Sequence, residues 1–359
     1  MTERIIYNCH VHALTADEAP SELLKNFFWP PLGAWLSFLL RNKTILRLFV
    51  FLLSLVDPKT DNDVLERQAR FLETGAQATQ AEIFAEIEKQ YPPGTKFVVL
   101  AVDTTFANLG KNRKSIDEQH QGLLQLAKEK REIIPFFAVD PRHEDILQKV
   151  KAGVRQDGFR GIKIYPNLGY YPQDARLLAV YQHCVDENVP VMAHCSPGGL
   201  WRFGLTEKER REYGKPQNYA PVLKEFESLR ICLAHFGGDQ EWEAHLKSRS
   251  DDLPEEQVPW CKTIAEMMRS GDYPNLYADI SYTLFMPRPH REQVEYCDYL
   301  KVLLEDRKIR EHVLFGSDFY MSKREKISER ELSIMLRSRL GEKLFFQIAN
   351  INPRRYLYG

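Results

Sequence analysis

No C-x-x-C pair, no basic tract, no glycine-rich phosphate loop and no apolar run of membrane-spanning length occurs in this 359-residue chain. Each absence narrows the function. Six cysteines in a chain this long do not form a disulfide framework, so free thiols in a reducing cytoplasm are expected. Lys and Arg total 49 against 50 Asp and Glu, a formal net charge of −1, and they are scattered. Nothing there neutralises a phosphate backbone, and nucleic acid is not an expected partner. No G-x-G-x-x-G follows an early strand, which argues against an open doubly wound sheet. No signal peptide precedes the first strand run, since MTER passes at once into IIYNCHVH. A cytoplasmic location is the expectation.

What is present reads as an ordinary globular protein, 43% hydrophobic and 28% charged. Residues 27–56, FFWPPLGAWLSFLLRNKTILRLFVFLLSLV, are far more apolar than the rest. Their longest uninterrupted piece, LFVFLLSLV, is too short to cross a bilayer, which takes about 20 apolar residues. The expectation is a pair of helices packed on the body or on a second subunit in a homodimer. A shallow membrane contact is the alternative.

Short apolar, β-branched runs recur along the chain: RIIYNCHVH, KFVVLAVD, EIIPFFAVDP, FRGIKIYP, VPVMAHCSPGG, LRICLAHFGGD, NLYADISYT and HVLFGSDFY. Amphipathic helical stretches separate nearly all of them. Strand alternating with helix argues for parallel pairing, because a parallel crossover needs a dozen or more residues. Eight such units close naturally into a (β/α)8 TIM barrel over residues 1–359, with a helical apolar insertion, residues 16–94, after the first strand.

The first run carries His10 and His12. In an extended strand positions i and i+2 share a face, so the two imidazoles converge while Cys9 and Val11 turn to the helical layer. Two converging imidazoles suit a metal. Lys163 lies in the fourth run, His194 ends the fifth, His235 the sixth and Asp318 the eighth. Strand C-termini of a barrel meet at one mouth, so these distant residues are expected in one pocket.

The ordered set CHVHA, GFRGIKIYP, MAHCSPGG, LAHFGG and LFGSDF resembles the amidohydrolase superfamily. It is most similar to the branch of metal-dependent TIM-barrel hydrolases, amidohydrolase family 2, that also contains nonoxidative decarboxylases; the closing INPRRYLY resembles the Asn-led helix that ends its members. The resemblance implies that His10, His12 and His194 supply metal nitrogens. It makes Asp318 a metal oxygen or a closely held proton acceptor, and His235 an acid/base or a ligand for a second ion. Lys163 would bridge two metals if carboxylated, or line the pocket. One Zn2+ is the expected cofactor; Mn2+, Fe2+ and Ni2+ accept the same ligand types. Many relatives carry Asp where this chain has Asn8, which cannot supply charge behind the metal.

Other candidates follow the strand ends. Tyr165, Trp201, Arg202 and Tyr282 are expected to line the pocket. On the loop after the seventh strand, Arg288, His290 and Arg291 are expected to form a solvated loop, the alternative being that they hold an acidic group of a small-molecule substrate. His120, His143, His183, His245 and His312 are read as background, and Cys9 and Cys195 as buried small hydrophobes.

Three functions from different classes fit. The first is a metal-dependent hydrolase that uses a metal-activated water on a small amide, lactone or ester. The second is a metal-dependent nonoxidative decarboxylase (a lyase) of an aromatic or unsaturated carboxylic acid. The third is a non-catalytic or membrane-peripheral binding barrel.

Overall fold

The computed structural model describes residues 5–26, 31, 62–248, 254, 257–283, 291–325 and 327–359. The apolar segment 27–56 lies almost wholly outside them, and Arg288 and His290 lie outside them altogether. Eight strands form where the apolar runs place them. They are β1 (Tyr7–Val11), β2 (Lys96–Leu100), β3 (Ile133–Val139), β4 (Gly161–Ile164), β5 (Val191–His194), β6 (Ile231–Ala234), β7 (Leu276–Asp279) and β8 (Val313–Leu314). All pair in parallel, each with its sequence neighbour, in the order β1 to β8.

Residues just beyond β8 close the ring. Cys9 N–H donates to Phe315 O at 2.8 Å, Asp318 N–H to His10 O at 2.9 Å and His12 N–H to Phe319 O at 2.5 Å. The sheet is a (β/α)8 barrel, and its closure fastens Asp318 to the strand that carries His10 and His12.

Amphipathic helices cover the outside. Ile116–Glu129 opens with a capping box in which the Ser115 hydroxyl and the Glu118 carboxylate satisfy each other's backbone N–H groups. Ser328 and Glu331 do the same for Glu329–Leu340. Between β1 and β2 run a 3-10 turn, Leu23–Asn26, and the helices Asn62–Gly75 and Gln80–Glu88. No helix among the described residues is long and apolar enough to cross a membrane.

Alternate strand residues divide the core in two. Phe97, Val99, Ile162 and Leu233 pack outward against the helices, whereas Val98, Leu100, Phe136, Met192, Cys232, Tyr277 and Leu314 fill the barrel with Tyr356 and Leu357 of the last helix. At Gly161 the ring of Phe136 occupies the space a Cβ would need, 2.2 Å away. This packed interior gives the mouth a dry floor.

One expectation about β1 is overturned. Its register shifts between Asn8 and Val11, where two β1 residues stand opposite one residue of β2. The extra residue is a bulge, which breaks strict alternation. Cys9 therefore packs inside the barrel with Tyr7 and Val98, while Val11 alone faces the helices. Cys195 does lie in the outer core, as expected.

Candidate metal centre

His10 Nε2 stands 3.6 Å and His12 Nε2 3.3 Å from Asp318 Oδ1. Ligand atoms 2.0–2.2 Å from a tetrahedral zinc are about 3.3–3.6 Å apart, so both separations from Asp318 match the corner spacing of such a site, and all three donor atoms lie within 4.8 Å of one another. All three residues are buried. His10 Nε2 has no hydrogen-bond partner, a state that burial makes costly unless something else binds there.

The opposite side of each imidazole is already committed. His10 Nδ1–H donates to Asp279 Oδ2 at 2.9 Å, and His12 Nδ1–H to Leu100 O at 3.0 Å. Each bond fixes the tautomer that leaves the Nε2 lone pair free toward Asp318. Burial pushes the His10 imidazole well below its ordinary range, and the Lys163 charge adds to this, so the ring is neutral, as a metal ligand requires. Asp318 sits at a φ of 60°, a conformation Asp tolerates better than most residues.

Asp279, at the end of β7, was not singled out in the sequence, yet it organises the mouth. It is fully buried. Besides His10 it accepts from His235 N–H at 3.1 Å, from Ser281 N–H at 2.9 Å and from the Ser281 hydroxyl. His10, His235 and Asp279 form a second convergent donor group. The available signal was position: YAD ends a strand at the mouth just as the proposed ligands do.

Asn8 does not stand behind the metal donors. Its Oδ1 accepts from Ser317 N–H at 3.1 Å and His10 N–H at 3.3 Å, and its Nδ2 donates to Ser317 Oγ and Tyr91 Oη. It staples β1 to the segment preceding Asp318. The charge expected at its position is supplied by Asp279 instead.

His194 is brought to the same mouth but into a different contact set. Its Nδ1 lies 3.1 Å from His235 Nε2 and its Nε2 3.1 Å from Gly198 O. His235 Nδ1 in turn faces Ser281 O at 3.2 Å and Ser281 Oγ at 2.9 Å. Backbone carbonyls thus bracket the two rings, leaving three gaps for the two protons that two neutral imidazoles carry. Burial lowers both rings well below the ordinary histidine range. One lone pair is therefore left over, and His194 Nε2 can offer it by leaving Gly198 O. As placed, His194 joins neither convergent donor group.

Lys163 points inward from β4 and is 2% exposed. Tyr165 stacks on His194, ring centres 4.0 Å apart and 10° from parallel, and its hydroxyl accepts from Leu200 N–H. Of the remaining pocket candidates, the Trp201 ring packs under Arg210 at 4.0 Å, Arg202 bonds Asn167 O through its backbone N–H, and Tyr282 donates to Glu325.

Comparison with known proteins bears on the fold and the family. A family model described as Amidohydrolase matches residues 97–358. No curated protein matches the sequence. Among solved structures, a probable 2-pyrone-4,6-dicarboxylic acid hydrolase from Acinetobacter baumannii with citric acid bound aligns over 98% of each chain (13% identity, TM-score 0.56). 4-Oxalomesaconate hydratase from Rhodopseudomonas palustris aligns over 98% of this chain and 95% of its own (15% identity, TM-score 0.52). An amidohydrolase from Burkholderia multivorans with bound HEPES aligns over 73% of this chain and 83% of its own (15% identity, TM-score 0.50). At such identities the likeness is one of fold.

Proposed function

Because the chain belongs to the amidohydrolase family, we propose that it is a metal-dependent hydrolase of a small amide, lactone or ester. The observation that carries this reading is the pair of Nε2 atoms facing Asp318 Oδ1 at 3.3 and 3.6 Å, on imidazoles whose Nδ1 positions are already bonded. His10, His12 and Asp318 would hold one divalent ion, zinc by default. His194 would become a fourth donor on exchanging its contact with Gly198 O. Such an ion polarises a carbonyl and brings the pKa of water toward 7.

The chain's own residues do the rest. Asp318 takes the proton of the attacking water and returns it to the leaving nitrogen or oxygen. His235 would steady the substrate oxygen or relay the proton through Nε2 on exchanging its contact with His194 Nδ1, while Asp279 and Ser281 hold its backbone and ring from behind. Tyr165 walls the pocket against His194. The packed barrel floor excludes bulk water below the reacting atoms, which strengthens each of these interactions.

The test is turnover by zinc-loaded protein on a panel of lactones, esters and amides, run beside aryl carboxylates with CO2 detection. Hydrolysis that disappears in Asp318→Ala is the expected result. CO2 release without hydrolysis would assign nonoxidative decarboxylation, and no metal uptake with no turnover would leave a binding barrel.

A further inference from the structure

Among the described residues, the barrel contains a buried cation that nothing in the protein bonds. Lys163 Nζ has no hydrogen-bond partner, and its register neighbours on β3 and β5 are Ala138 and Met192, neither of which offers a side-chain acceptor. The inner core it belongs to is built of Met192, Cys232, Leu100 and the rings of Phe136, Tyr277 and Tyr356, with no carboxylate among them. The nearest aromatic face, Tyr165, lies 5.9 Å away, at the limit of a cation–π contact. A lysine buried for structural reasons alone is normally tied to a carbonyl or a carboxylate. Here Asp279 and Asp318 act on the ammonium only through space, and both are engaged with imidazoles. Burial lowers the group to about 8, which still leaves it mostly charged at neutral pH.

Charge balance sharpens the point. With a divalent ion beside Asp318, the two carboxylates and the ammonium leave the mouth with one uncompensated positive charge. A neutral amide, lactone or ester does not cancel it; an acid does. This step rests on the metal reading above.

We propose that Lys163 anchors a carboxylate of the substrate, so that the hydrolysed molecule is an organic acid with its scissile bond held toward His10, His12 and Asp318. The lysine is then a specificity residue. It reads the substrate's charge while the metal donors act on its carbonyl.

Calorimetric titration of zinc-loaded protein with benzoate and succinate, against benzamide and succinamide, tests this directly. A charge-assisted contact in a buried site predicts that wild type prefers each acid over its amide by at least about tenfold. Lys163→Met and Lys163→Gln should lose that preference while retaining zinc stoichiometry and the far-ultraviolet circular dichroism of the parent. An equal preference in either folded variant, or none in wild type, overturns the proposal. A lysine-dependent carbamate signal in 13C NMR after incubation with 13C-bicarbonate also overturns it, because Lys163 would then be a metal-bridging group. Failure of wild type to take up zinc is read separately by metal analysis and brings down the metal reading, and this proposal with it.

Discussion

Replacing Asp279 by Asn probes the site without touching a proposed ligand. The substitution is close to isosteric, but it places an amide where Oδ2 now accepts the His10 Nδ1 proton. If the amide nitrogen faces His10, the ring must carry its proton on Nε2, and the lone pair aimed at Asp318 is lost. If the amide turns over, its NH2 meets the His235 and Ser281 N–H groups that Oδ1 now accepts. Either arrangement costs something, and the first acts on metal binding alone. Removing the acceptor behind a metal-binding histidine typically weakens the metal by about 10–100-fold, or about 1.4–2.7 kcal/mol. Competition with a fluorescent zinc chelator measures this, with urea denaturation of the metal-free protein reporting the cost to the fold. Zinc affinity in Asp279→Asn equal to wild type, with the metal-free protein no less stable, would refute the idea that Asp279 sets the His10 tautomer.

The proposed ligands should not be equal: His12→Ala and Asp318→Ala are expected to abolish tight zinc binding, and His194→Ala to weaken it less, because its nitrogens engage His235 and Gly198. Equal losses in a chelator titration would make His194 a full ligand. His120 accepts Ala138 N–H at 3.0 Å and is lowered to about 4 by burial, against 6.5 when unfolded. On acidification the unfolded chain takes up the proton first, so stability present above pH 6.5 is lost toward pH 4, about 2 kcal/mol of it by pH 5. Urea denaturation at pH 7 and pH 5 should show that loss in wild type and a smaller one in His120→Gln; identical losses would contradict the assignment. Gly199 has a φ of 84°, and a Cβ there would lie 2.5 Å from Tyr165 Oη and 2.9 Å from His194 Cε1. Gly199→Ala is expected to displace that ring pair and to lower kcat/KM on the order of 100-fold, and unchanged kinetics would show that the stack does not position the site.

Much of this architecture was legible because a parallel barrel strand is buried on both faces and so reads as a compact apolar run between helices. The places of His10, Lys163 and His194 in strands followed from that reading, whereas His12, His235 and Asp318, read as strand ends, stand one to four residues past them. Three other features were not legible. The inward turn of Cys9 depends on a bulge, which is a matter of register against β2 and leaves no mark in IIYNCHVHA. The task of Asp279 was missed because YADIS reads as a strand with one polar residue; only its burial beside the His10 ring shows that the carboxylate is internal. Asn8, read as a weaker stand-in behind the metal, instead bonds the chain entering Asp318, a contact between residues 309 positions apart.

The most direct measurement is anomalous X-ray diffraction at the zinc edge on crystals of protein purified without chelator. The account predicts one strong peak about 2.0–2.2 Å from His10 Nε2, His12 Nε2 and an Asp318 carboxylate oxygen. A peak elsewhere in the molecule, or crystals of zinc-supplemented protein with no peak among these three residues, would contradict it.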